Sequence, residues 1–294
     1  MNGVAAILTG DASGTTHEAR IERAFIDACL LDVLALKPGN VGVHGGGHGM
    51  QPADFVRSAR AAATAIAAPG QSVGERIYSA VAATRKEVTT NTNLGIVLLC
   101  APVAQAAFRC EGPLSTAALQ TALKQVLIEL SIADAQRAFD AILLASPGGL
   151  GAAPRHDVRE PAQATLLEAM REAADRDSIA RQYASAFTDV VGVGLRCLGQ
   201  ARALGCDRRR GASEVFLEFL VRFADSHVAR KFGLAQAQAL RESAAEYAAM
   251  PQGRARTAAL RAWDVALKAR GLNPGTSADL TVVTLFWDGL LEGA

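Results

Sequence analysis

Apolar residues recur at three- and four-residue spacing along nearly the whole chain, the period of an amphipathic helix, and no segment alternates as a strand would. Ile21, Phe25, Ala28, Cys29, Val33 and Leu36 make one such stripe. Thr15 with Glu18 forms a capping-box signature at its start. Pro38 turns Lys37 away from the α region, so the helix should stop near Leu36. A second helix is expected from Pro52, with Asp54 in its first turn, to a break at Pro69-Gly70. A third covers about Val73 to Lys86. Leu94 begins a run that is apolar on all sides and should be a buried central helix, kinked at Pro102.

Further helices are predicted over Ser115–Leu130, Ser131–Leu144, Ala164–Ala174, Ile179–Val193, Ala212–Phe223, Leu234–Ala249, Thr257–Ala269 and Ser277–Leu291. No long linker or 20–50-residue repeat divides the chain. The expectation is an all-α, single-domain bundle of ten or more helices spanning 1–294, with 1–14 disordered.

One stretch departs from this pattern. Leu36 to Met50 holds six glycines, two histidines, one lysine and one asparagine in fifteen residues. Glycine loses more backbone entropy on folding than any other residue, so such a loop points to close backbone approach to a ligand. Lys37, Asn40, His44 and His48 supply its polar chemistry. The glycines between His44 and His48 argue against a helical zinc pair, and no HExxH occurs.

Half of the 294 residues are hydrophobic and the formal net charge is +1, so no global field recruits nucleic acid or an anionic membrane. The basic run Arg208 to Arg210 reads as a solvated turn. Five cysteines without a CxxC read as reduced, buried thiols of a cytoplasmic protein. Met-Asn-Gly-Val-Ala lacks a basic leader, so no signal peptide is expected. The apolar run Leu94–Phe108 is short for a membrane span.

Three other polar groups are candidates for chemistry. Asn91-Thr92-Asn93 precedes the buried helix, and Asn273-Pro-Gly-Thr276-Ser277 precedes the last, with Asp279 in its first turn. Helix starts of this kind suit phosphate, although Asn, Thr and Ser are also ordinary caps. Glu168, Glu172 and Asp175 lie on one helical face and could hold Mg²⁺ if that face turns inward; otherwise they form a solvated charged face. Asp225-Ser-His227 with Arg230 and Lys231, closed by Gly233, combines carboxylate, imidazole and cations at a helix end. Pro147-Gly-Gly-Leu-Gly151 lacks the Lys-Ser/Thr of a P-loop.

Taken in order, these motifs resemble those of the triphosphoribosyl-dephospho-CoA synthase family. The similar points are Lys37-Pro-Gly39 with the loop ending Gly47-His-Gly-Met50, Asn91-Thr-Asn-Leu-Gly95, Asp225-Ser-His227 and Asn273-Pro-Gly-Thr-Ser-Ala-Asp-Leu280. The departures are Gly42-Val43 for an acidic–basic pair, Gly47-His-Gly-Met50 without the family's aspartate, and Asn93-Leu94 for His-Lys.

The resemblance implies that a ribose hydroxyl of dephospho-CoA attacks ribose C1′ of ATP. Adenine leaves and the triphosphate stays attached. It implies ATP as a substrate, Mg²⁺ and small-molecule nucleotide partners, without nucleic acid or membrane, and allows a homodimer. Lys37, Gly39, Asn40, Asn91, Thr92, Asn93, Arg230, Lys231, Thr276 and Ser277 are the expected nucleotide contacts. Asp225, His227, His48 and Asp279 are the expected proton-transfer groups, and Glu168, Glu172 and Asp175 the metal ligands. The alternatives are a methanopterin-type acceptor, a Mg²⁺-dependent hydrolase or N-glycosidase, and a helical binding protein.

Overall fold

A computed structural model of the protein describes residues 16–292, except 111 and 154. The predicted disorder of 1–14 and the cap at Thr15 lie outside these residues. Thr16 caps the first helix instead, accepting the Ala19 N–H.

Fourteen α-helices follow, with no strand among the described residues: α1 (His17–Leu34), α2 (Pro52–Ile66), α3 (Val73–Glu87), α4 (Leu94–Arg109), α5 (Thr116–Ile128), α6 (Ile132–Ala145), α7 (Leu166–Ala173), α8 (Ser178–Ala184), α9 (Arg196–Ala203), α10 (Arg208–Arg222), α11 (Ser226–Phe232), α12 (Leu234–Ala249), α13 (Arg254–Ala269) and α14 (Gly275–Glu292). Among the described residues, no helix is long and apolar enough to cross a membrane.

Helix α4 is the central one, buried from Leu94 to Ala107 apart from Gly95 and Gln105. Pro102 lies inside it and cannot bond back to the Leu98 carbonyl. The buried Tyr183 hydroxyl donates to that same carbonyl oxygen at 2.6 Å, so the orphaned acceptor is satisfied.

The predicted helix Ile179–Val193 is broken. Ala186 and Phe187 take φ of +51° and +60°, and a π-helical turn, Val190–Leu195, leads into α9. The break sinks Phe187 completely into the core beside Tyr183. Arg208 to Arg210 form the exposed first turn of α10, capped by Asp207, rather than a turn outside a helix.

Two apolar clusters share α10 and α14. The larger joins α1 to α9 through Phe25, Leu99, Tyr183, Phe219 and Trp287. The smaller joins α10 to α14 around Phe216, Trp263 and Leu267. Elements from both clusters contribute to the polar site.

Candidate active site

The glycine loop folds as two tight turns, Gly42 with Gly45 and Gly47 with Met50, after the end of α1. Its first part packs on the entrance to α14. Gly39 has φ of +82°, and a Cβ there would lie 2.7 Å from the Leu272 carbonyl oxygen, so glycine is required. Asn40 Nδ2 donates to Asn273 Oδ1 at 2.8 Å, closing the same junction.

Lys37 lies inside the fold. Its side chain is 1 % exposed, and Nζ donates to Asp32 Oδ2 at 2.5 Å and Asn40 Oδ1 at 2.6 Å. It neutralises a buried carboxylate. A buried cation without such a partner would be strongly destabilising.

The polar helix starts are likewise spent on one another. Asn91 caps Leu94 N–H, Thr92 bonds Ser58, and Asn93 Nδ2 donates to Thr84 Oγ1. Asp225 is not the end of a helix but the N-cap of α11. Its Oδ1 accepts Val228 N–H, and its Oδ2 accepts both Ser277 N–H and Ser277 Oγ–H at 2.8 Å. Thr276 Oγ1 accepts from Ser226 Oγ and from His227 N–H. Asp225, Thr276 and Ser277 therefore latch α11 to α14. With both oxygens engaged, Asp225 is poorly placed to act as a base.

What remains free lies between these starts. Asp279, one turn into α14, has no side-chain hydrogen bond among the described residues. Its Oδ2 fills the space that a Cβ on Gly95 would occupy. Burial holds its carboxyl well above the ordinary carboxylate range; Asp225, Asp32 and Asp177 raise it further, against the opposing charge of Lys37. Asp279 of α14 thus lies within charge range of carboxylates from α1 and from the starts of α8 and α11, with Lys37 the opposing cation.

His227 stands beside this group, packed against Gly275. Burial, then Lys231, Arg230 and His48, push its imidazole down to about 3, so it is neutral at physiological pH. Nδ1 faces Arg230 Nη2 at 3.5 Å, a donor, which leaves the proton on Nε2; that atom is buried without a partner. Gly39 packs on Leu272 and Pro274 and His227 packs on Gly275, so the glycine loop and α11 meet at the start of α14 across about 180 residues of sequence. Arg230 and Lys231 are exposed and rest against Gly148 and Gly149, which gives the Pro147–Gly151 loop its place.

The acidic face expected to turn inward does not. Glu168, Glu172 and Asp175 are exposed. Glu168 completes the capping box of α7 with Thr165, and Glu172 lies 3.7 Å from Arg155. The apolar side of this short helix, Leu166, Leu167 and Met170, turns them outward. Among the described residues, no three His, Cys, Asp or Glu side chains gather as a preformed metal site.

The family model for CitG, ATP:dephospho-CoA triphosphoribosyl transferase, matches residues 18–294. The chain belongs to the CitG family. It is a glycosyltransferase-type enzyme whose activity is ATP-dependent triphosphoribosyl transfer to dephospho-CoA; a different acceptor or simple hydrolysis is not favoured. The crystal structure of a candidate triphosphoribosyl-dephospho-CoA synthase from Archaeoglobus fulgidus shares the fold. It aligns with a TM-score of 0.63 at 24% identity, over 80% of this chain and 98% of that one. No curated protein matches in sequence.

Two residues of this CitG-family site were missed in the sequence. Asp32 sits within the apolar Leu30-Leu-Asp-Val-Leu34 run; a lone acid on a buried helix face is the signal that marks it. Asp264 sits in the middle of α13, and its Oδ1 accepts Gly39 N–H at 2.8 Å.

Proposed function

We propose that Asp279 is the proton-transfer carboxyl of the transferase. In this reading it takes the proton of the attacking ribose hydroxyl of dephospho-CoA. The new C1′–O bond forms as the C1′–N bond to adenine breaks, and adenine leaves with that electron pair and takes up a proton. A free carboxyl whose affinity for protons is raised by burial is a stronger base than an ordinary carboxylate, which suits such a task. The observation that carries the reading is the unpartnered Asp279 carboxyl, set among Asp225, Asp32 and Asp177 where four helices meet.

His227 offers a neutral Nε2–H donor to the bound nucleotide, as its lowered proton affinity and partnerless nitrogen support. Arg230 and Lys231 are the cations open to the triphosphate. Lys37, Asn40, Asn91, Thr92, Asn93, Thr276 and Ser277 act by shaping the walls. His48 acts from the loop, beside His227.

The donor set fits Mg²⁺ arriving with ATP. Mg²⁺ keeps waters and phosphate oxygens and needs only one or two carboxylates. Asp177 would hold it, and its charge would offset that of the triphosphate.

The proposal includes a cytoplasmic setting, in keeping with five free cysteines. It also includes action as one unit, because the groups span positions 32 to 279 of a single chain. Every group it uses comes from one copy, so a homodimer adds none of the chemistry. The test is adenine release from Mg-ATP with and without dephospho-CoA, together with the adduct mass. Release that ignores the acceptor would overturn it.

A further inference from the structure

The glycine loop is tied to α13 at two points, and both ties run through one ion pair. Asp264 and Lys268 are four residues apart on α13, with Nζ 2.9 Å from Asp264 Oδ2. Their side chains are 5% and 14% exposed. Asp264 spends its second oxygen on the loop, accepting Gly39 N–H at 2.8 Å. Lys268 spends a second N–H on the loop as well, donating to the Gly45 carbonyl oxygen at 3.0 Å. The lysine stem runs along Gly47, where a Cβ would lie 3.5 Å from Cγ.

His48 hangs from one of the two gripped peptides. Its Nε2 donates to the Gly39 carbonyl oxygen at 2.8 Å, and it holds a positive φ of 57°. The same Gly39 peptide is therefore pinned on its N–H side by Asp264 and on its carbonyl side by His48. A loop this rich in glycine has many alternative shapes to lose. Within the loop, the Gly42–Gly45 and Gly47–Met50 turns and the His48–Gly39 bond set its local shape. Val43 N–H on the Val33 carbonyl and Asn40 on Asn273 anchor it to α1 and to the start of α14, and the ion pair adds the two ties to α13. An exposed Lys–Asp pair is worth little. This one is mostly withdrawn from water, and each partner directs a charge-assisted bond at a different loop peptide.

We propose that Asp264 and Lys268 are positioning residues of the transferase, a clasp that holds the Gly39–His48 loop, with His48 bonded to the Gly39 peptide, against the start of α14. The inference rests on the reading of the site given above. Neither side chain reaches the substrates; both act through the loop they grip. The partner that Asp264 supplies is also what keeps Lys268 in place, so the two ties should fail together.

The test uses the full-length protein with Lys268→Met, which keeps the stem along Gly47 and removes both bonds, and Lys268→Arg, which restores a donor. Asp264→Asn serves as a second variant should Lys268→Met not fold. Steady-state kinetics should show kcat lowered roughly tenfold or more in Lys268→Met, the scale of a slightly misplaced catalytic group. KM for ATP and for dephospho-CoA should stay within about threefold, and Lys268→Arg should recover most of kcat.

Independently of activity, long-range ¹⁵N–¹H spectra should show His48 as the Nε2–H tautomer in the parent protein. That signature should be lost in Lys268→Met and retained in Lys268→Arg. Unchanged kcat with an unchanged His48 signal would overturn the proposal. So would a lower melting temperature with full kcat per folded molecule. If the parent protein transfers nothing to dephospho-CoA, the functional reading fails, and the clasp is judged on the His48 signal alone.

Discussion

Asp279 Oδ2 lies against the Cα of Gly95, in the space where any other residue would carry its Cβ. The first turn of α4 therefore forms a wall for the Asp279 carboxyl. Ile179 Cδ1 bounds the same space, 2.8 Å from where that Cβ would be.

Gly95→Ala should accordingly displace the Asp279 carboxyl while leaving a foldable α4, since alanine is the better helix former. Adenine release should fall by roughly tenfold or more, on the scale expected for a misplaced catalytic group. The check is initial-rate adenine detection alongside circular dichroism. A full rate with a native spectrum would free Asp279 from this wall.

Asp279→Asn should separate activity from stability. Loss of a proton-transfer group should slow adenine release by about 10²-fold or more. The carboxyl is raised in the fold, so its charged form is disfavoured there. Its contribution to stability is present below the unfolded value, near 3.9, and is lost as pH rises past it. A neutral amide avoids that loss, so Tm at pH 7 should rise. Differential scanning calorimetry and the adenine assay on one preparation decide both points.

His227 should leave a mark on the pH dependence of stability. Its imidazole is near 6.5 when unfolded but pushed to about 3 in the fold. A depressed histidine contributes stability that is present above 6.5 and lost as pH falls toward 3, because only the unfolded chain takes up the proton. Tm should thus decline less between pH 7 and pH 4 in His227→Gln than in the parent. Parallel slopes in the two proteins would show that His227 is not held neutral.

The outward face of α7 should matter for stability only. Glu172→Gln with Asp175→Asn should leave adenine release within about twofold. Glu168→Ala, which opens the capping box with Thr165, should lower the midpoint of urea unfolding. A large rate loss from the double variant would return these carboxylates to the metal.

Where local rules act alone, the sequence was readable. Pro52 with Asp54 marks the start of α2, the all-apolar run from Leu94 marks the buried helix, and Leu234–Ala249 is α12 residue for residue. The reading failed where burial of one side chain overrode periodicity, as at Phe187, which forces the chain through positive φ. Within the site, the residue types were legible but not their partners. Asp225 reads equally well as a base or a cap, and only the approach of Ser277, 52 positions away, settles that both its oxygens are engaged. Lys37 looks like a phosphate ligand until Asp32 is seen beside it. Asp264 carries no local signal, because its partner Gly39 lies 225 residues earlier.

The pairing of α1 with α14 has a consequence for synthesis. Asp32 and Lys37 are translated well before Asp279 and the Asn273–Ser277 turn. At a ribosomal rate of about 5–20 residues per second, α1 waits some tens of seconds for α14. A nascent chain thus holds α1 before one of the helices that covers its buried face has been made.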